Sequence, residues 1–486
     1  MEHVDAPKPE PVSRRRRAFA GVGAGYCLAV ALSMVPTVGC SALVDSSIDL
    51  SDGIDAGTGA GNLSCAKLGP TEDASAFVVG AILPFEGEYA SIGLPMRNAV
   101  ELAVIDINEW GGVGGGRQLA VVACDSSGNT DQALEAARYL VDGVGVPAII
   151  GPAFSGAFIE VSTRVTIPAN VLTISPSATT PSIKSLDDRN LAWRTAASDE
   201  FQGVAISDLV RTLGYTDIVV MGKGDAYGRG LLNQVNLNLG QSLSEDHYFG
   251  SEYDDPGNQT NPDFSGPIDA ALEAIRLPDV VLLLGTSEVA DLMRLFEANL
   301  PAGTSSTSLP QYIFADGGKV DETLAQISTN LTLKDRIRGT EPDHQNPELY
   351  RRFSLSYDQR FGSTPGIYTT NSYDAAYLLA FSAMRAGAMA GGPELAAALG
   401  AMSSGTKVSA RPEEIADART RLEAGESIDF SGVSGPLDFD ASGEAPANVS
   451  LWKIGTQTNG TLRFDPTPAG SYVIGSDGKG SWTLAE

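Results

Sequence analysis

Histidine, cysteine and basic residues are scarce in this chain. Its 486 residues include three histidines and four cysteines. No Cys-x-x-Cys pair occurs, and this scarcity argues against a zinc site and against a catalytic centre built on a histidine base. Lysine and arginine number 33 against 60 aspartates and glutamates, so the formal net charge is −27. Such an acidic chain is not expected to bind nucleic acid or anionic lipid non-specifically.

What the chain does contain is typical of a globular α/β protein. Hydrophobic residues make up 43% of it, aromatic residues 7%, and glycine accounts for 54 positions. This composition differs from that of disordered or membrane-spanning chains. At roughly 150 residues per domain, the length allows two or three domains.

The first forty residues have the layout of a secretory signal. Arg14–Arg17 form a positive region, and an uncharged, largely apolar stretch follows. The segment Thr37–Cys40 resembles a lipobox, in which the cysteine is lipidated and becomes the new N-terminus, although leucine is usual where Thr37 stands. We therefore predict that residues 1–40 are a signal peptide and that Cys40 carries a lipid. The protein is then exported and anchored to a membrane, in the periplasm or at the cell surface. A plain cleaved signal or a simple membrane anchor is the alternative.

Residues 41–64 are predicted to be a flexible tether. They are rich in serine, aspartate and glycine and poor in large apolar side chains, so they cannot bury enough surface to fold alone. The regular spacing of the aspartates admits calcium binding as an alternative.

Two cysteines remain for the exported domain, because Cys27 and Cys40 lie in the signal. Cys65 precedes the first predicted core strand and Cys124 ends the next one, so adjacent strands would bring them close together. Two thiols in an oxidising compartment predict one disulfide, with metal binding as the weaker alternative.

Apolar runs alternate with segments of helical periodicity from residue 77 onward. The predicted strands are 77–83, 119–122, 148–150, 171–174, 217–221, 280–284, 312–314, 436–439, 449–454 and 462–464. The predicted helices are 98–110, 129–141, 231–239, 289–298, 347–361 and 373–386. Strands that alternate with helices predict an α/β fold with doubly wound sheets.

Several segments, taken in their order and spacing, carry a resemblance to a known family. They are Ile82–Phe85, Asn98–Ala103, Ile149–Pro152 with Phe154 and Ser155, Ser175–Pro181, Arg194 and Thr195 with Gln202 and Gly203, Tyr227–Gly230, Tyr373–Ala375 and Gly432–Asp440. Together they are similar to the periplasmic binding proteins of the leucine/isoleucine/valine type, the type I solute receptors. The resemblance covers roughly residues 75 to 465.

This resemblance implies a type I periplasmic-binding-protein fold, with two doubly wound three-layer lobes joined by three hinge crossings. The implied crossings lie near Ala196, Gly339 and Gly435. Lobe 1 then comprises residues 76–196 and 340–434, and lobe 2 comprises residues 197–339 and 435–486.

Two loops of the first lobe are candidates for ligand binding, because ligands of open α/β sheets bind beyond the carboxyl ends of the strands. Phe154 and Ser155 follow one predicted strand, and Ala178 and Thr179 follow the next. A hydroxyl beside a backbone N–H can hold a carboxylate without burying a cation. The resemblance implies that these loops grip the carboxylate and ammonium of an amino acid. The alternative for the second loop is a plain turn.

The second lobe offers Tyr227 and Asp316 as candidates. Tyr227 lies in a glycine-rich segment that lacks the Gly-Lys-Ser/Thr ending of a P-loop. The resemblance implies that its ring faces the ligand across the cleft, with a packed turn as the alternative. Asp316 ends a strand near the place where the family has an acid for the ammonium, although Gly317 stands at the stricter match.

We predict an extracytoplasmic solute-binding protein that captures an amino acid, an amide or a related small polar compound by lobe closure. It delivers the ligand to an ABC-type permease, or, as the alternative, serves as a ligand sensor of the same fold. Ile92 and Thr286 stand where amino-acid binders often have aromatic residues, so the identity of the ligand stays open. The segment around Ser155 lacks the glycines of a nucleophile elbow, and no enzymatic activity is expected. We expect a monomer without cofactor or metal.

Overall fold

The computed structural model describes residues 63–257, 259, 261–440, 442–475 and 480–485. The predicted signal at 1–40, the lipidation site Cys40 and nearly all of the predicted tether at 41–64 lie outside the described residues.

The chain alternates between strands and helices along most of its described length. The strands are β1 (Cys65–Leu68), β2 (Phe77–Leu83), β3 (Leu119–Asp125), β4 (Ala148–Ile150), β5 (Leu172–Ser175), β6 (Ala192–Arg194), β7 (Ile218–Lys223), β8 (Tyr248–Tyr253), β9 (Val280–Leu284), β10 (Gln311–Phe314), β11 (Ile337–Pro342), β12 (Thr406–Ser409), β13 (Ile428–Ser431), β14 (Val449–Thr456), β15 (Leu462–Phe464), β16 (Gly470–Ile474) and β17 (Gly480–Leu484). The helices are α1 (Ala90–Glu109), α2 (Thr130–Arg138), α3 (Ser155–Val161), α4 (Asp199–Leu213), α5 (Ala226–Asn238), α6 (Ser265–Ala274), α7 (Val289–Ala298), α8 (Asp321–Thr329), α9 (Pro347–Phe361), α10 (Thr369–Ala386), α11 (Gly392–Leu399) and α12 (Ile415–Glu423).

Local sequence signals explain where several helices begin and end. Before α4, the side chain of Ser198 accepts a hydrogen bond from the backbone N–H of Glu200, and Gly214 ends the helix in a left-handed conformation. Asn346 caps α9 in the same way, with proline in its first turn. These caps satisfy backbone groups that a helix end leaves without partners.

The first sheet holds six strands in the order β1-β3-β2-β4-β5-β6. Strands β2 to β6 run parallel, whereas β1 pairs antiparallel with β3. One face packs against an apolar cluster built largely from α1 and α10, and the opposite face packs against α2 and α3. Because both faces are covered, the central strands are apolar nearly throughout.

The second sheet runs in the order β17-β16-β14-β11-β10-β9-β7-β8, with β15 paired to β14. Strands β7 to β11 are parallel, and β14 begins an antiparallel extension beside β11. Helices α4 and α5 cover one face, while α6, α7 and α8 cover the other. Each large sheet is therefore the middle layer of three.

The chain passes between the two large sheets three times. It leaves the first sheet between β6 and α4, returns between β11 and α9, and leaves again between β13 and β14. At the first crossing, Thr195 and Asn371 exchange two hydrogen bonds of 2.9 and 2.8 Å. The predicted lobe boundaries stay predictions; β11 continues through Gly339 to Pro342 as a strand of the second sheet.

Cys65 and Cys124 are direct partners in the antiparallel pairing of β1 with β3, and their sulfurs are bonded. One predicted strand is wrong. Residues 436–439 form no strand, and only Pro436 makes an isolated bridge to Ser431. The chain just before this segment closes a loop, in which the N–H of Gly432 donates to the carbonyl of Gly435, and Pro436 has no N–H to offer a strand ladder.

Candidate ligand-binding site

Two loops at the carboxyl edge of the first sheet are held together by hydrogen bonds. The hydroxyl of Ser175, at the end of β5, donates to the carbonyl of Pro152 over 2.7 Å and accepts from the N–H of Ala178 over 2.9 Å. Ser155 opens α3 after β4, and its hydroxyl accepts from the N–H of Thr180 at 3.3 Å. Three of the predicted site residues are buried in these loops: Ser155, Ala178 and Thr179.

Asp199 places a carboxylate beside these loops. It is the first residue of α4, and its N–H donates to the carbonyl of Thr179 over 2.9 Å. Its side chain is 0% exposed, and neither carboxylate oxygen has a hydrogen-bond partner in the described part of the chain. The hydroxyl of Thr179 lies close to it without hydrogen-bond geometry. Burial, with repulsion from Asp316 second, raises the pKa of Asp199 well above its ordinary value of 3.8.

Asp316 lies across from these loops, directly after β10 of the second sheet. Tyr227, in the first turn of α5, donates its hydroxyl to one oxygen of Asp316 over 2.6 Å. Tyr368 donates to the other oxygen from the residue before α10. The backbone of Tyr368 is left-handed, with φ of 59°, a strained state for a tyrosine that tends to occur where function requires it.

Several contacts join the two faces of this cleft. Tyr368 belongs to the helix that packs on the first sheet, yet it bonds Asp316 of the second. The hydroxyl of Ser91 lies 3.2 Å from a carboxylate oxygen of Glu322. Gly230 of α5 packs so closely on Thr180 that an added Cβ would lie 2.7 Å from its hydroxyl. The structure therefore shows the cleft with its faces in contact.

A cavity of about 400 Å³ continues from the cleft. Phe154 and Tyr227 line it together with Tyr89, Gly128, Asn129, Thr130, Asp131, Gly156, Ala157, Lys223, Asp225, Asp255, Gly257 and Thr286. A volume of that size suits a small-molecule ligand.

Lys223 dominates one side of this cavity. It ends β7, is 4% exposed, and its ammonium lies 3.2 Å from Asp255, 3.6 Å from Asp225 and 3.9 Å from Glu288. Burial alone would lower the pKa of Lys223, but these carboxylates, Glu288 foremost, raise it above its ordinary value of 10.5. The lysine is therefore charged.

Comparison with known proteins identifies the family. A family model described as periplasmic binding protein matches residues 77–442. The chain belongs to this family.

Relatives in this family include receptors with different outputs. The chemotactic signal transduction system substrate-binding protein BasB of Halobacterium salinarum is 25% identical over 82% of this chain and 91% of its own length. Leu/Ile/Val-binding protein homolog 2 of Brucella abortus is 27% identical over 78% of this chain and 91% of its own. The crystal structure of LivJ from Streptococcus pneumoniae, a branched-chain amino acid transporter substrate binding protein in complex with isoleucine, is similar in fold. Its TM-score is 0.62 at 20% identity, over 81% of this chain and 99% of that one.

The predicted type I periplasmic-binding-protein fold is confirmed by this match. The family consists of substrate-binding proteins, not of a class of enzymes, and implies a location outside the cytoplasm. Among the described residues, no helix is long and apolar enough to cross a membrane.

The structure brings the predicted site residues of this periplasmic binding protein to one cleft. Ser155 and Thr179 lie on the first-sheet face, Tyr227 bonds Asp316 on the other, and Phe154 lines the adjoining cavity. Ala178 differs from the rest, since its side chain packs in an apolar cluster and its carbonyl accepts from Arg194. The ligand contacts of all six residues stay predictions.

Sequence reasoning missed Asp199, Tyr368 and Lys223. Asp199 could have been found, because it lies between the motif residues Arg194 and Gln202, where a carboxylate is set at a helix start facing the first-sheet loops. No local sequence signal predicts the left-handed backbone conformation of Tyr368.

Proposed function

We propose that this protein captures a small molecule with an ammonium and a carboxylate, such as an amino acid, by closing its cleft. One observation carries the proposal. Of the twelve buried side-chain polar atoms without a protein partner in the described residues, four lie at this cleft, on Thr179, Thr180 and both oxygens of Asp199. Buried polar atoms in native proteins nearly always have partners, so such a concentration suits a polar ligand.

The charges of the inner cleft favour an ammonium. Asp199 and Asp316 are both buried and close enough to repel each other. The guanidinium of Arg194 is engaged by Glu444 and by the carbonyl of Thr180, and its charge influences the pKa of Asp199 less than burial and Asp316 do. A cation between two buried carboxylates relieves this repulsion.

The hydroxyls of the first-sheet face suit the carboxylate of the same ligand. Ser155 opens α3 and its hydroxyl accepts from the N–H of Thr180, while the hydroxyls of Thr179 and Thr180 are buried without a partner in the described residues. Hydrogen bonds from hydroxyls and from backbone N–H groups to a charged acceptor are stronger than those between neutral groups. Closure then follows from ligand contacts with both faces, about crossings that we place near Ala196, Gly339 and Gly435.

A thermal-shift panel tests this function. Amino acids, the corresponding amides, amines without a carboxylate and acids without an amine are compared at saturating concentration. A ligand present at 100 times its Kd adds about 2.7 kcal/mol of stability. We expect stabilisation only by compounds that carry both groups. Equal stabilisation by the acids without an amine contradicts the proposal, and so does a panel without any shift.

We propose delivery to an ABC-type permease as the output, with sensing as the second candidate. The Leu/Ile/Val-type relatives support uptake, and the chemotactic relative supports sensing. A deletion strain separates the two. Loss of radiolabelled ligand uptake supports transport, whereas intact uptake with a lost behavioural or transcriptional response to the ligand supports sensing. We expect the receptor to act as a monomer, which size-exclusion chromatography with light scattering checks.

We further propose that residues 1–40 direct export, that Cys40 carries a lipid, and that residues 41–64 tether the receptor to the membrane. Metabolic labelling with an alkyne fatty acid tests this arrangement. Cys40→Ser should abolish the label, and Cys27→Ser, a matched cysteine change within the signal, should retain it. Label on the Cys40→Ser protein contradicts lipidation at this position.

A further inference from the structure

The cavity beside the candidate site is ionic where an aliphatic ligand would need an apolar surface. Lys223 and Thr286 are 4% and 5% exposed, and the ammonium of Lys223 lies 3.4 Å from the hydroxyl of Thr286. An aliphatic side chain in this space would remove water from Lys223, Asp225 and Asp255 without offering them a hydrogen bond. Such desolvation is costly. The cavity therefore suits a ligand whose far end is polar or charged.

The residues that line the cavity determine which sign of charge the ligand group should carry. Among the described residues that line the cavity, the acids are Asp131, Asp225 and Asp255, and Lys223 is the one lysine or arginine. Glu288 adds a fourth carboxylate behind Lys223, at 3.9 Å. The lysine is therefore surrounded by acids that already neutralise it, and an excess of negative charge faces the cavity.

Fixed hydrogen bonds keep Glu288 in this arrangement. Its carboxylate accepts from the N–H of Thr286 at 2.9 Å, from the hydroxyl of Thr286 at 2.6 Å and from the hydroxyl of Tyr253 at 2.7 Å. The negative field also reaches Glu88, whose pKa is raised by burial and then by repulsion from Glu288. An anionic ligand group would have to approach Lys223 against these carboxylates.

The acids that line the cavity are not arranged as metal ligands. In the described part of the chain, no three or more histidine, cysteine, aspartate or glutamate side chains converge as metal ligands do. The cavity also adjoins the cleft, since Tyr227 lines the cavity and donates to Asp316 of the cleft. The unpartnered, fully buried carboxylate of Asp199 independently indicates a cationic group at the inner end.

We propose that the ligand carries a second cationic group at its far end, bound among Asp131, Asp225 and Asp255, so that the receptor selects basic amino acids over aliphatic ones. This inference rests on the proposed function and assigns its ligand class. The inner carboxylates bind the α-ammonium, and the cavity acids bind the distal cation. Lys223 holds Asp225 and Asp255 in place through ion pairs and limits the charge excess.

Isothermal titration with matched ligands tests the inference on the exported domain beginning at residue 63. Ornithine, lysine and arginine are paired with their neutral counterparts norvaline, norleucine and citrulline, and glutamate and 2-aminoadipate form the anionic arm. We expect at least one basic ligand to bind tenfold or more tightly than its neutral partner, and the anions to bind most weakly. Neutral ligands that bind as tightly as basic ones overturn the inference and leave the proposed function standing. A panel in which nothing binds overturns both.

Removal of one cavity charge sharpens the test. Asp255 is partly exposed, with a side chain 42% accessible, so Asp255→Asn should fold normally. We expect the preference for a basic ligand over its neutral partner to shrink about tenfold. The control is Asp335→Asn, whose side chain is 86% accessible and lies on the far connection before β11; it should keep the preference. A preference unchanged by Asp255→Asn, in a variant whose melting temperature is unaltered, overturns the cavity as the source of selectivity.

Discussion

The two faces of the cleft differ in chemistry. The first-sheet face offers mainly rings and hydroxyls, from Tyr89, Phe154, Ser155 and Thr179, with the carboxylate of Asp131 at the cavity. The second-sheet face offers charge, from Asp316 at its inner end and from the ions around Lys223 in the cavity. Neutral hydrogen-bonding groups can serve any amino-acid end, whereas fixed charges discriminate among side chains. The hydroxyls of the first face and Asp316 of the second are therefore expected to hold the two ends that all amino acids share, and the charges around the cavity to decide which side chain is accepted.

The largest predicted effect is on the charged face. Asp316→Asn removes the acceptor charge for the ligand ammonium but retains an oxygen for one tyrosine hydroxyl. Loss of one partner of a buried charge pair costs about 2–5 kcal/mol of binding. Isothermal titration should show the corresponding loss of affinity, with Asp335→Asn as the control. Binding as tight as that of the parent protein would remove Asp316 from the site.

A smaller effect is expected where the faces meet. In Gly230→Ala the new methyl group would collide with Thr180, so closure is opposed while each face keeps its own packing. Overpacking typically destabilises a packed state by about 1–3 kcal/mol, and here only the closed state would be destabilised. The matched control is Gly266→Ala in α6, where an added Cβ meets nothing within 4 Å. Weaker binding with an unchanged melting temperature of the free protein is the expected pair of results. An equal loss of affinity in both variants would contradict the role of Gly230.

The pH dependence of binding tests the acid between the faces. Burial and Asp316 raise the pKa of Asp199 above 3.8, so this carboxylate takes up a proton at a higher pH than an ordinary aspartate. A ligand ammonium favours the ionised form, and binding therefore releases a proton. Affinity should rise with pH below the raised pKa, by up to about 1.4 kcal/mol per pH unit. Titration calorimetry in two buffers of different ionisation enthalpy measures how many protons are released on binding. Asp199→Asn should eliminate this proton release. Affinity that falls as pH rises through this range contradicts the assignment.

The smallest effect is expected on the neutral face. Thr179→Val keeps the shape of the side chain and removes its hydroxyl, whose hydrogen bond to the ligand is worth about 1 kcal/mol. Thr212→Val on the exposed end of α4, whose hydroxyl donates to the carbonyl of Asp208, is the control. Because the hydroxyl serves the common end of the ligand, basic and neutral amino acids should lose affinity equally. A loss confined to basic ligands would assign Thr179 to selectivity instead.

Sequence reasoning recovered the buried core well and the periphery poorly. The bounds of β2, β4 and β9 agree with the predicted strands, because each is a continuous apolar run between turn residues. Helix α1 begins eight residues before its predicted start at Asn98, through Gly93 and a proline that usually break helices. Gly93 is required there because an added Cβ would lie 2.0 Å from the carbonyl of Pro84. Short antiparallel strands such as β16 and β17 escaped notice, since only two of their ten residues are buried and no apolar run marks them.

The candidate site was predictable where it follows from motifs and loop position. Ser155 and Thr179 each follow a strand of the first sheet, at the edge where ligands of such sheets bind. Asp199 lies between motif residues, but it was passed over because it also has a local explanation as a favourable acid in the first turn of a helix. Lys223 reads as a solvated lysine at the end of a strand. Only the tertiary fold brings their charges to one place.

The disulfide between Cys65 and Cys124 has a mechanical consequence. A pull on the chain ahead of Cys65 would otherwise load β1, an edge strand of four residues held by a few backbone hydrogen bonds. The covalent bridge passes that tension directly into β3, the second strand of the six-stranded sheet. If residues 41–64 tether the receptor to a membrane, as proposed, force on the tether would thus enter the first sheet. The three crossings about which the cleft opens and closes would lie outside the path of that force.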